Sequence, residues 1–561
     1  MMTSKLQRFL WTAAVALPLS VLLVGCGQKS SSSNKQDLNL VEAGDPTTLD
    51  VNDIRNSNED EILSNAEEGL FRTIHKDGKD KLQLAGAKSY TLSKDKLIYT
   101  FKLRSSKWSD GKPVVAQQYV DSVIRELNPK NGFANAMSAF DIKNAKQYNS
   151  KQVPASSVGV KAPNKSTFVI TLGHPTPNFV QSFSDAVFYP VRLDLIKKHG
   201  NKEWKTDWKD QVTNGPFKIT QWKTNDKLVL TKNPKYWNAK NVKLKKVTYI
   251  STSKDSTISS LLQSGQLDAD VASGTQALDF KKVAKSGKLN INKMPGTAAN
   301  LIVFNQKTGG PQGLLKNAKI RKALSLAIDR KAYNKIVASG QEKPAQGFVP
   351  ASANFGSVNY RKYAGNILAG PEKEYKSSAK LKRLFQAGLK EEGKSTDLSK
   401  VKLIYLTETN DSSDSDIISF IKQQYKDKLG ITVNASAQPD DASFIAQRNK
   451  GKYDFLTNGW IGANDPQAYL ELWYSKGGFQ QFFGGYHDAK YDKLYDSLSG
   501  VSSVKQRLKI YKELETLLVT KDYGVAPTTV PVTTIFTSKS LHNFQTPLFG
   551  AGVNYVYAYK K

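Results

Sequence analysis

Cysteine is almost missing from this chain: Cys26 is the only one in 561 residues. No disulfide can form within the chain, so the fold has to hold by core burial alone. Histidine is scarce as well. His75, His174, His199, His487 and His542 never pair at i, i+3 or i+4, the spacings that would set two imidazoles on one helix face as a local zinc motif. A Gly-x-Ser-x-Gly nucleophile elbow is absent, and although a triad could be assembled from distant Ser, His and Asp, nothing marks one. Neither metal nor cofactor is expected, and no enzymatic activity. Acidic residues are outnumbered, 50 against 81 Lys and Arg, giving a net charge of +31. The lysines are spread along the whole chain without zinc-finger spacing or an RNA-binding aromatic signature, so nucleic acid is not the expected partner. An anionic lipid surface or a cell-wall polyanion suits such a surface, and so does a plain solvated lysine coat.

What is present fits an exported globular protein. The 39% hydrophobic and 10% aromatic content and the length are enough for two or three domains, each with its own core. Cys26 sits where an export signal ends: Lys5 and Arg8 form a positive n-region, Phe9 to Val24 an apolar run, and Leu23-Val24-Gly25-Cys26 the junction. Gly27 to Asn34 is a flexible polar leader. The Leu-x-Gly-Cys ending resembles the lipobox of bacterial lipoproteins, which implies removal of residues 1–25, lipidation of the Cys26 thiol and a flexible linker over 26–36. Loss of Lys5 and Arg8 leaves +29. A plain signal peptide with an incidental cysteine, or an uncleaved N-terminal anchor, is the alternative.

Along the mature chain, Leu38 to Val41 reads as a strand leading into the turn-rich Gly44 to Asp50. Ile62, Leu63, Ala66 and Leu70 give Glu61 to Phe71 a helical stripe. Tyr99, Phe101 and Leu103 alternate with polar residues as in a half-buried strand. Asp110-Gly111-Lys112-Pro113 makes a turn, and Val120, Val123, Ile124 and Leu127 define a helix from Ala116 that stops at Asn128-Pro129. Ile320, Ala323, Leu324, Ala327 and Ile328 form another buried stripe, with Arg321 and Arg330 projecting elsewhere and assigned no ligand.

Five blocks in order resemble the oligopeptide-binding, OppA-like extracytoplasmic solute-binding proteins of ABC importers (solute-binding protein family 5). They are Asn65 to Arg72, Tyr99 to Gln117 with its Lys107-Trp108-Ser109-Asp110-Gly111-Lys112-Pro113, Asn214 to Phe217, Asn233 to Trp237, and Ile320 to Arg330. The resemblance implies an α/β, two-lobed periplasmic-binding-protein-like fold (type II, cluster C) with three domains. Domain I is discontinuous, over 37–80, 212–307 and 522–561; domain II spans 81–211 and domain III 308–521. It also implies a monomeric receptor, tethered by its lipid on the outer face of a Gram-positive cell membrane, that closes on an extended oligopeptide and passes it to ABC transporter permease subunits. A peptide-pheromone receptor and a surface adhesin holding polyanions are the alternatives.

Gly388 to Ser395 satisfies the phosphate-loop pattern letter for letter. That chemistry needs a strand before the loop and a helix after it. Here Leu381, Leu384, Phe385 and Leu389 mark a helix before it and Val401 to Leu406 a strand after it, so the segment is a helix C-cap and loop. The candidate ligand stretch is instead Asn458-Gly459-Trp460-Ile461-Gly462 with Asp465, following the strand-like Tyr453 to Leu456. A Trp beside small residues lets a peptide backbone approach a strand edge while the indole packs on a side chain; a core-anchoring Trp before a turn is the other reading. Relatives commonly carry an aspartate after the Trp that pairs with a peptide's free amino terminus. Counting back from Asp465-Pro466, that acid falls at Gly462, so recognition of the amine passes to Asp440, Asp441 or another acid, or is lost. Val530 to Thr534 lacks the aromatic residues that relatives often show after the Val-Pro. Facing these by family position is a polar loop, Arg55-Asn56-Ser57-Asn58, able to pair with a ligand or simply to be solvated.

Overall fold

The computed structural model describes residues 36–561 apart from 77, 78, 177, 273, 409–411, 478, 480, 481 and 551. Cys26 and the residues before it lie outside the described residues. No helix among those described is long and apolar enough to cross a membrane.

The strand Asp37–Glu42 buries Leu38 and Leu40 and pairs in parallel with Lys246–Ser251, which continues antiparallel into the hairpin of Phe217–Lys223 and Lys227–Lys232. A second four-stranded sheet runs Ala87–Leu92, Ile98–Leu103, Thr167–Thr171, Val160–Asn164. Tyr99, Phe101 and Leu103 are buried as their alternation requires. Trp108 is buried and donates its indole N–H to Gln118 Oε1 at 3.1 Å, and the same oxygen accepts from the Val115 N–H at 2.9 Å. One glutamine thus fixes the turn onto the start of helix Ala116–Glu126. Gly111 takes φ +97° in that turn, a conformation open to glycine at little steric cost.

The third large sheet is five-stranded and mixed, in the order Thr432–Gln438, Lys402–Glu408, Phe455–Ile461, Ala298–Phe304, Val525–Pro527. Its last two strands, Ala298–Phe304 and Val525–Pro527, lie outside 308–521. A smaller sheet joins Ala269–Ala272, Val532–Ser538 and Leu289–Pro295. The chain therefore crosses between the small and the five-stranded sheet twice, at 296–297 and again at 528–531. The two crossings touch, with the Gly296 N–H donating to the Pro531 carbonyl at 2.9 Å. A Cβ on Gly296 would overlap that carbonyl.

Helix Ala318–Ala327 is capped by Asn317, whose side chain accepts from the N–H groups of Lys319 and Ile320. Arg321 and Arg330 leave the apolar stripe but are buried. Arg321 donates to the carbonyls of Leu315, Lys316, Asp522 and Tyr523, and Arg330 to that of Pro527 and to Glu372. They tie this helix and the next one, Arg330–Ile336, to the returning chain. Helix Ser378–Glu391 ends as expected, the Lys394 N–H donating to the Leu389 carbonyl and Gly393 at φ +63°, before strand Lys402–Glu408. Gly388 is a packing glycine, since a Cβ there would run into Ile320.

Candidate ligand-binding cleft

Asn458, Gly459, Trp460 and Ile461 lie on strand Phe455–Ile461, which pairs with Ala298–Phe304 along its whole length. On its other side it meets Lys402–Glu408 only at Phe455 and Leu456. From Thr457 onward this edge carries no further strand among the described residues. The Gly459 N–H points to it and is satisfied by Asn458 Oδ1 at 2.8 Å. Two residues on, Ile461 is 73% exposed.

Trp460 is the core anchor. Its ring sits 5.2 Å from Phe479 and 5.9 Å from Phe483 between centroids, and Nε1 donates to the Ala468 carbonyl at 3.2 Å. Asp465 turns the chain, accepting from the Gln467 N–H at 2.8 Å, and also from Asn178 Nδ2 at 3.0 Å across from the segment after Thr167–Thr171. Burial raises its pKa. A Cβ on Gly462 would overlap the ring of Tyr469, whose hydroxyl donates to the Thr297 carbonyl at 2.6 Å. No acid fits at that position. Asp440 is spent as a helix cap, accepting from the Ser443 N–H at 2.7 Å.

The expected polar loop is not a loop. Asn56 is the N-cap of helix Ser57–Ala66, accepting from the Glu59 N–H at 3.0 Å, and Ser57 and Asn58 form its first turn. Glu59 in turn accepts from the backbone N–H groups of Thr47 and Arg55. The stripe expected to run to Phe71 stops at Ala66, and Phe71–Lys76 is a strand. The apolar pattern begins only at Ile62, so it misses a first turn made wholly of polar residues. The signal that finds it is Asn56 followed three residues later by Glu59.

Three cavities meet at Ser57. The largest, about 670 Å³, is also lined by Asp185, Ile461, Gly462, Ala463 and Asn464. One of about 340 Å³ adds Asn56 and Asp60, and one of about 370 Å³ adds Asn58, Glu42, Glu61 and Asp270. The structure therefore brings Asn56, Ser57, Asn58, Ile461 and Gly462 onto cavities that share walls, whereas Asn458, Gly459, Trp460 and Asp465 do not line them. The carboxylates were not legible in the sequence. Burial pushes Asp60 up to about 6 and Asp185 up to about 7, the latter also feeling Asp60. Burial raises Glu42 and Glu61 to about 8 and Asp270 to about 6, with repulsion between neighbouring acids adding to it.

One His/Asp trio among the described residues, His199, Asp207 and Asp210, lies away from these cavities. The two imidazole nitrogens face one carboxylate each, at 3.0 and 3.1 Å.

Residues 81–481 match the family described as bacterial extracellular solute-binding proteins, family 5 Middle. The oligopeptide-binding protein OppA of Bacillus subtilis (strain 168) is 30% identical over 508 residues, 89% of this chain and 88% of that protein. Among solved structures, Listeria monocytogenes OppA bound to peptide superposes with a TM-score of 0.73 at 28% identity, covering 94% of this chain and 100% of the other. The pheromone receptor PrgZ superposes with the same score at 26% identity and the same coverage. A two-lobed α/β fold, an exposed strand edge beside a cavity and a family match over most of the chain agree: this protein belongs to the bacterial extracellular solute-binding proteins of family 5.

Proposed function

We propose that the protein captures extended oligopeptides in the cleft between its lobes and delivers them to the permease of an ABC importer, with no covalent chemistry. The observation that carries this is the open edge at Ile461 over the 670 Å³ cavity. A peptide laid along a strand edge pairs through N–H and C=O groups that every sequence shares, which makes capture sequence-tolerant. The paired crossings at Gly296 and Pro531 are the hinge about which domain III, 308–521, closes with its flanking strands Ala298–Phe304 and Val525–Pro527 on domains I and II. Cys26 is the lipid anchor holding the receptor, a monomer, on the outer face of the membrane. The relatives that bear the oligopeptide name support the ligand class.

Native mass spectrometry of the purified protein, before and after refolding with a mixed peptide pool, tests this. Heterogeneous peptide adducts are expected; a protein that stays bare overturns the reading. The likeness to PrgZ favours a second reading, import of one signalling peptide, which would leave a single adduct mass from the pool.

A further inference from the structure

The cleft has one neutral wall and one acidic one. On the Ile461 side the position for an amine-pairing acid is filled by the Tyr469 ring, and Asp465 is committed to Gln467 and Asn178. On the Ser57 side the 370 Å³ cavity holds three carboxylates, from strand Asp37–Glu42, helix Ser57–Ala66 and strand Ala269–Ala272. Glu42 is only 6% exposed, yet it lines this cavity. It accepts from the Ala43 backbone N–H and has no side-chain donor or counter-charge among the described residues. Glu61 has a hydrogen bond with Tyr249, and Asp270 accepts from the Val271 N–H at 2.8 Å. The charged groups facing the cluster from its neighbouring elements are acidic as well: Asp45, Glu59, Asp60 and Asp255. A buried carboxylate without a cation is costly in a chain that carries +31 elsewhere.

We propose that the pocket of Glu42, Glu61 and Asp270 receives a cationic group of the bound peptide, an ammonium or a guanidinium, and gives the receptor a preference for basic peptides. The inference rests on peptide capture by the cleft. The pocket's volume accommodates a lysine or arginine side chain, whose stem would lie along Leu40, Val41 and Val271 at the rim. Burial first, and repulsion from the neighbouring acids after it, keeps Glu42 and Glu61 protonated near neutral pH, and a bound cation favours their charged forms.

Titration calorimetry of the purified protein with penta-alanine, Ala-Ala-Lys-Ala-Ala and Ala-Ala-Glu-Ala-Ala, each with free and with acetylated amino termini, tests this. The lysine peptide is expected to bind at least tenfold more tightly than the glutamate peptide. Persistence of that ratio after acetylation assigns the pocket to a side chain; no lysine preference together with a general loss on acetylation overturns the preference for basic peptides. In both E61Q and D270N the expected result is collapse of the ratio towards one, and E42Q extends the set if it folds. Peptides that bind equally well whatever their charge overturn the pocket and leave capture standing. No binding by any of them overturns both.

Discussion

The two walls of the cleft are built by different physics. The Ile461 wall is a strand whose pairing with Ala298–Phe304 fixes where its free edge points, and what it offers is backbone. The wall of helix Ser57–Ala66 offers side chains instead: Asp60, Glu61 and, behind them, Glu42, Asp185 and Asp270. Backbone pairing is blind to sequence, whereas carboxylates in a poorly solvated pocket discriminate by charge. Tolerance thus comes from one lobe and preference from the other.

The comparison breaks most severely if the edge is removed. Ile461→Pro takes away an N–H on the unpaired edge of the strand, where proline is tolerated, and should weaken every peptide at least a hundredfold, read by calorimetry, while the far-UV circular dichroism stays native. Unchanged affinity would show that the edge is not used. Next in size, Gly462→Asp puts the acid on the wrong wall. The Tyr469 ring has to move, so a loss of about 1–3 kcal/mol in urea unfolding is expected, in the range of core overpacking. A variant as stable as the parent would mean that the wall can open to hold an acid.

The acidic wall makes its own prediction about pH. Glu42 and Glu61 hold their protons in the folded state up to about 8, while the unfolded chain releases them near 4.5. Between those values the folded state binds more protons, so these groups make stability fall as pH rises from about 5 to 8. The melting temperature without ligand should be higher at pH 5.5 than at pH 8, and E61Q should flatten the slope. Carboxylates such as Asp194, held low by Arg192, act the other way only in more acid solution. A melting temperature that climbs from pH 5.5 to 8 would contradict the buried acids. The smallest effect is expected at Trp460→Phe, with affinity changing less than threefold, because the indole packs on Phe479 and Phe483.

How far the sequence could be read follows the same division. Strand Ile98–Leu103 and helix Ala116–Glu126 were legible because their periodicities are local, and so was the order of helix and strand around the phosphate-loop letters of Gly388 to Ser395. The start of helix Ser57–Ala66 was hidden by a polar first turn. Arg321 and Arg330 fall off the apolar stripe by spacing, but spacing does not show that their guanidinium forks satisfy carbonyls some 200 positions away. The missing acid at Gly462 could be counted from Asp465-Pro466; its cause, a tyrosine ring seven residues on, could not. The acidic pocket left no trace, since Glu42 and Asp270 come from strands far apart in sequence.

Hydrogen exchange of the amides with and without a bound pentapeptide tests capture between the walls most directly. Protection should rise together in 457–463 and 55–62, the two sides of the cleft. Protection confined to one side, or appearing only elsewhere, would contradict it.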